Sequence, residues 1–278
     1  MMMRSLFLAV MLPLLCATGF AAEPQVPVFW DAKERLTKPD LSALERLRFL
    51  TTTDFPPFNF IDGNGRLSGF HVDLARAICA ELESAAKCQI QAVPWSELDG
   101  ALRSGQGEAV MAGIAVTAQA RTRYAFSRPY LQFPGRFIMP RTTAVTEPIF
   151  EKMQGKRIGV MAGSGHERML RAYFPGVSIV TYTRQEWLYA DLKASKIAAA
   201  FGDGMRLAFW LAGSDAAGCC RFAGGPYLAP EYLGTGLAIA TKADNPELAA
   251  AFDYALHQIS VKGVFAELYL RYFPVSFF

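Results

Sequence analysis

Beyond the amino-terminal segment, four cysteines and three histidines have the widest chemical reach, and their spacing limits what they could do. Cys79 and Cys88 stand a short step apart, Cys219 and Cys220 are adjacent, and His71, His166 and His257 are scattered. A structural zinc site needs about four converging Cys or His ligands, and no Cys-x-x-Cys pair occurs, so neither a metal nor any other cofactor is expected. An even cysteine count favours disulfides if the chain is exported. Cys79 and Cys88 flank one predicted helix and turn, from Ile78 to Ile90, and a local bridge is expected if that helix ends near Ser84. A bridge between Cys219 and Cys220 would strain the peptide joining them, which leaves free thiols or a distant partner open. Asp203 and His166 are the obvious groups for moving a proton. No nucleophile–base pair accompanies them, so no catalytic residues are expected.

These residues must be positioned by a chain whose start reads as an address. Met1 to Arg4 is a short positive start, Leu6 to Leu15 an apolar run, and Gly19, Ala21 and Ala22 are small. That order is a secretory signal peptide over residues 1–21, cleaved after Ala21. The run is shorter than the roughly 20 residues a bilayer needs, and Pro13 interrupts it. The expected product is periplasmic and not membrane-anchored. A net charge of +3 with no Lys/Arg block argues against nucleic acid. The remaining length exceeds the typical domain of roughly 100–200 residues, so one large domain or two lobes are expected.

Strand and helix signals alternate in two blocks. In the first, strands are predicted over Arg46 to Thr52, Gln89 to Val93 and Glu108 to Ile114, with helices over Val72 to Glu83 and Ser96 to Ser104. In the second, strands are predicted over Arg157 to Met161, Val177 to Tyr182 and Ile197 to Phe201. Helices lie between them, over His166 to Tyr173 and Glu186 to Ser195. Such alternation implies parallel α/β sheets. Ligands in these sheets sit beyond the carboxyl ends of strands. The loops at Asp54–Asn59, Pro94–Trp95, Ala112–Thr117, Ala162–His166 and Gly202–Gly204 are therefore where a site should be sought.

The order of short motifs then carries a resemblance. Thr51 to Phe58 (Thr-Thr-Thr-Asp-Phe-Pro-Pro-Phe) with Gly65 to Leu74 comes first. Gly113 to Thr117 with Arg123 to Tyr130 follows, then Gly155 to Val160 with Gly163-Ser164-Gly165, and finally Leu233 to Ile239. From about Leu47 to Phe273 this resembles the bacterial extracellular solute-binding proteins of family 3, the polar amino-acid-binding proteins of ABC importers. The resemblance implies a two-lobe periplasmic-binding-protein fold of type II, α/β, with two mixed sheets flanked by helices and joined by two hinge strands. Residues 22–46 would be a leader, 47–133 with 237–278 the first lobe, and 134–236 the second. It implies a small amino-acid-like ligand, hinge closure, delivery to an ABC-transporter membrane permease, and a monomer.

The same resemblance assigns residues. Phe55 and Trp95 fall where two rings flank the ligand side chain, covering an apolar stem or a cation. Phe58 reads as structural. Gly113 and Ala115 fall where backbone amides meet the ligand carboxylate. Ser164 and Gly165 open a helix whose free amides would favour a negative group, though a plain N-cap fits Ser164 equally. His166 either lines the cleft or sits exposed in that first turn. Asp203 falls where the ligand ammonium is held, against the alternative of a turn Asp between two glycines. The pattern departs at the carboxylate-gripping Arg, whose position here is Ala120. Arg121 is one residue later and turned by about 100°, so it either reaches the cleft by a rearranged loop or is a surface Arg.

Two other classes compete with a non-catalytic binding protein. One is an enzyme on the same scaffold, as in cyclohexadienyl dehydratases, which needs a buried proton donor against the substrate. The other is a ligand-sensing accessory subunit, for which the Val26 to Ser42 leader and the Phe273 to Phe278 end could supply a docking patch. Packing of both segments on the first lobe is the preferred expectation.

Overall fold

The computed structural model describes residues 26–144, 148–273 and 276–278. The signal segment over 1–21 lies outside the described residues. The described residues build two five-stranded sheets of the same design and a small three-stranded one. In the first, Cys88–Ala92, Leu47–Thr51 and Ala109–Val110 run parallel, and Ala240–Lys242 joins antiparallel before the edge strand Tyr124–Phe126. In the second, Ser178–Tyr182, Arg157–Met161 and Ala199–Asp203 run parallel, and Gly135–Pro140 joins antiparallel before Cys220–Tyr227. The fold is the mixed α/β arrangement expected.

Leu47, Phe49, Leu50 and Thr51 are buried and only Arg48 among them is partly exposed, a near-continuous run rather than an alternation. Parallel strands covered on both faces read that way. One cover is helix Phe70–Glu81, which buries Phe70, Leu74, Ala75 and Ile78. Its neighbours, Pro246–Val261 and Val264–Tyr272, contribute Phe252, Leu256, Phe265 and Tyr269 to the same core. Pro246 occupies the first turn of its helix, where its missing N–H costs nothing, and Asn245 caps the N–H of Leu248 at 3.2 Å.

Helix Phe70–Glu81 ends just short of Ser84, through Glu83 in the left-handed region (φ 54°). The turn brings Cys79 and Cys88 to a Cα separation of 6.0 Å, and they are bonded. Cys219 and Cys220 are also bonded to each other, a pairing that peptide strain had argued against. The strand predicted over Glu108 to Ile114 contracts to Ala109–Val110, with one further bond from the Met111 N–H to the Leu50 carbonyl at 2.9 Å before the chain turns at Gly113 (φ 85°).

The chain passes from the first sheet to the second after Phe126 and returns before Ala240. The two crossing segments pair at Leu131 and Leu237, with the Leu237 N–H donating to the Leu131 carbonyl at 2.7 Å. The leader lies on the first body. Trp30 is buried, Arg128 makes a two-pronged pair with Glu34 at 2.7 and 2.8 Å, and the His257 Nε2–H donates to the Asp31 carbonyl at 3.0 Å.

Candidate functional site

The carboxyl ends of the parallel strands place the expected residues in two groups. On the first sheet, the chain leaving Leu47–Thr51 folds into a small three-stranded ribbon, where Phe55 pairs with Asn59. The Phe55 ring stacks on Phe58 with centroids 4.7 Å apart and planes 27° apart. Phe58 is fully buried against His71, Phe70, Phe133 and Phe273, so it is the floor and Phe55 the half-exposed layer above it. Gly113 completes this corner. A Cβ on it would stand 3.1 Å from Phe55 Cε1, so the missing side chain is what lets the ring lie there.

Trp95 opens a short turn after Cys88–Ala92 and is 56% exposed. It walls a cavity of 340 Å³ with Thr52, Thr53, Asp54, Ala92, Val93 and Pro94, at and beyond the carboxyl ends of Leu47–Thr51 and Cys88–Ala92. Phe55 follows Asp54 directly, so the two rings stand on adjacent loops at one sheet end. Ala115 is exposed. Ala120 is buried, with its N–H capped by Thr117 Oγ1 at 3.0 Å. Arg121 is exposed, its guanidinium 5.8 Å from the Phe126 ring.

On the second sheet, Arg157–Met161 runs into helix Gly165–Tyr173. Ser164 Oγ donates to the Met161 carbonyl at 2.7 Å and accepts the Glu167 N–H at 3.0 Å, while Glu167 Oε2 accepts the Gly163 N–H at 2.7 Å. This reciprocal cap commits the Ser164 hydroxyl proton and one of its lone pairs to the helix start, so Ser164 acts as a cap. Gly165 has a packing reason of its own: a Cβ there would stand 2.3 Å from the Tyr232 carbonyl.

His166 is half-buried, with its ring edge toward Phe201 at 6.0 Å, and its buried Nε2 makes no hydrogen bond among the described residues. Burial holds its pKa below the ordinary 6.5, and the negative charge of Asp203 nearby offsets part of that. Asp203 is the last residue of Ala199–Asp203 and the N-cap of helix Gly204–Ala212, where Oδ1 accepts the Arg206 N–H at 2.8 Å. Among the described residues Asp203 makes no ion pair, because Arg206 turns instead to Gln185 Oε1 at 3.1 Å. His166 and Asp203 therefore share one corner, as Phe55 and Gly113 share another. Among the described residues no cluster of His, Cys, Asp and Glu could hold a metal.

A buried polar chain behind the first corner escaped sequence reasoning. The Thr52 carbonyl can only accept, so Asn59 Nδ2 must face it, at 3.1 Å, and the same nitrogen donates to Thr52 Oγ1 at 2.8 Å. Asn59 Oδ1 then accepts from His71 Nδ1 at 2.8 Å, and the bare His71 Nε2 accepts the Tyr130 hydroxyl at 2.8 Å. All four residues are buried. Burial drives the His71 pKa down to about 3, so the ring is neutral as this chain requires. The partners are scattered along the sequence with no common spacing, and only folding brings them into line.

Comparison with known proteins places the chain. The profile of the bacterial extracellular solute-binding proteins, family 3, matches residues 47–275. An ABC transporter arginine-binding protein of Escherichia coli (strain K12) is 30% identical over 233 residues, 84% of this chain and 93% of that protein. The L-cystine solute receptor of Neisseria gonorrhoeae superposes with a TM-score of 0.68 at 17% identity, over 82% of this chain and 92% of that one. An ancestral cyclohexadienyl dehydratase superposes with a TM-score of 0.67 at 18% identity, over 84% of this chain and 94% of that one. At such identities these two likenesses speak for the type II periplasmic-binding-protein fold alone.

Proposed function

The chain belongs to the bacterial extracellular solute-binding proteins, family 3, and from that premise we propose that it is a periplasmic receptor for a small amino acid or related amine. In this reading residues 1–21 direct export. The bodies 47–133 with 237–278 and 134–236 then close on the ligand about the paired crossing segments, and the monomeric closed form delivers it to an ABC-transporter permease. Asp203 holds the ammonium group. The backbone amides at Gly113, Ala115, Gly165 and His166 receive the carboxylate, and Phe55 and Trp95 flank the side chain. With Ala120 buried at the usual Arg position, carboxylate binding rests on those amides and on Arg121 if closure brings it in. The arginine-binding relative makes L-arginine the first ligand to try.

The observation that carries this reading is the corner of His166 and Asp203 on the second sheet. There, among the described residues, a buried imidazole nitrogen without a partner lies beside a partly exposed carboxylate that caps a helix but joins no ion pair. Leaving the imidazole nitrogen buried and unpaired costs free energy that a guest would recover. Turnover is not part of the reading, since Asp203 accepts an N–H at a helix start, which is the task of an acceptor and not of a proton donor. A thermal-shift screen of amino acids, polyamines and quaternary amines tests it. A ligand at 100 times its dissociation constant stabilises by about 2.7 kcal/mol. No stabilising compound in the whole panel would overturn the ligand class.

A further inference from the structure

The last residues of the chain lie between the two bodies, beside the crossing segments. Phe277 is fully buried, with its ring 6.5 Å from Phe133 on the outgoing crossing and 5.4 and 5.3 Å from Tyr269 and Phe273 of the first body. Its N–H donates to the Tyr269 hydroxyl at 3.3 Å. Its carbonyl faces the other way and accepts from Nη1 of Arg136, in the second sheet's strand Gly135–Pro140, at 3.3 Å. Gly204, which opens the helix after Asp203, comes so near that a Cβ there would stand 3.1 Å from the same carbonyl. Phe209 of that helix reaches Phe273 at 6.3 Å, and Ala208 joins the first body's core.

The other chain end completes the arrangement. Phe29 packs edge-on against Phe278 at 5.5 Å. Its neighbour Trp30 is buried under the Arg128 guanidinium, 5.1 Å from the ring, and against the edge of His257.

Contacts that span two bodies next to their crossing must slide or break when one body rotates against the other. Contacts present in one arrangement and lost in another bias the equilibrium between them. We propose that the tail Ser276–Phe278, clasped by Phe29, is a strap that holds the two bodies at the angle of this structure and opposes their rotation. The strap matters for function only if the protein closes on a ligand as proposed above. Its test uses ligand-free protein, so the two readings fail separately.

Spin labels at Asn64→Cys and Ala194→Cys, both exposed and one on each body, report the separation of the bodies by double electron–electron resonance on the full chain. A single narrow distance distribution is expected. Phe277→Ala, or removal of Ser276–Phe278, should broaden and shift it while the circular dichroism spectrum stays that of the parent. If Phe277→Ala does not fold, Phe29→Ala frees the tail from its exposed side and should act in the same direction. An unchanged distribution in the folded variants overturns the strap. A broadened one with no amino acid binding leaves the strap standing and removes only the receptor reading.

Discussion

The Phe55 ring lies across Gly113, whose φ of 85° and missing side chain leave room for the ring edge. Both conditions disfavour alanine. Gly113→Ala should lose about 1–2 kcal/mol to left-handed backbone strain and should tilt Phe55 off Phe58. Urea unfolding checks the first effect. Calorimetric titration with the ligand found by screening checks the second, where a loss of about tenfold corresponds to about 1.4 kcal/mol. Unchanged affinity would mean that the Phe55 corner is not part of the site.

Asp203 caps a helix and is proposed to grip an ammonium group, and two substitutions separate these roles. Asparagine caps nearly as well as aspartate but carries no charge. Asp203→Asn should keep the melting temperature while weakening an amine-bearing ligand about tenfold or more. Asp203→Ala should lose the ligand and also about 0.5–2 kcal/mol of stability. Retained binding in the asparagine variant removes the ammonium assignment.

Stability should fall on mild acidification because of His71. Its folded pKa is about 3, whereas an unfolded histidine titrates near 6.5. Between those values the unfolded chain binds a proton that the native chain refuses. The His71 contribution is complete above about pH 6.5 and is lost as pH falls toward 3, at up to about 1.4 kcal/mol per unit. The lowered pKa of His166 acts with the same sign. Denaturant unfolding at pH 7, 6, 5 and 4 measures the slope, and His71→Asn should flatten it. An equal slope in that variant would mean other groups carry the dependence.

The bridge between Cys79 and Cys88 fastens the end of helix Phe70–Glu81 to the edge strand Cys88–Ala92, away from the candidate site. Replacing both with serine should cost about 2–4 kcal/mol and leave ligand affinity unchanged. Thermal unfolding with and without reductant checks the first statement, and titration the second. A loss of affinity would show that this edge helps to shape the site.

Much of the frame was legible because its signals are local. The strand Arg157–Met161 and the helix after Ser164 stand where periodicity and the capping residue put them, since a strand or cap depends on neighbours a few residues away. The Cys79–Cys88 bridge was legible for the same reason. The antiparallel fourth strands were not predicted. Gly135–Pro140 and Ala240–Lys242 declare themselves only by pairing with strands far away in sequence.

By itself the sequence determined an α/β chain of family 3, its parallel strand triplets, and which loops stand at their carboxyl ends. Only the tertiary structure decided which residues on those loops share a corner. It set Phe55 over Gly113 and His166 beside Asp203, joined Thr52, Asn59, His71 and Tyr130 into one chain, and wedged Phe277 against Arg136. The physical reason is that strand and cap signals act over a few residues, whereas burial pairs polar and aromatic groups by proximity in space, which sequence spacing does not record.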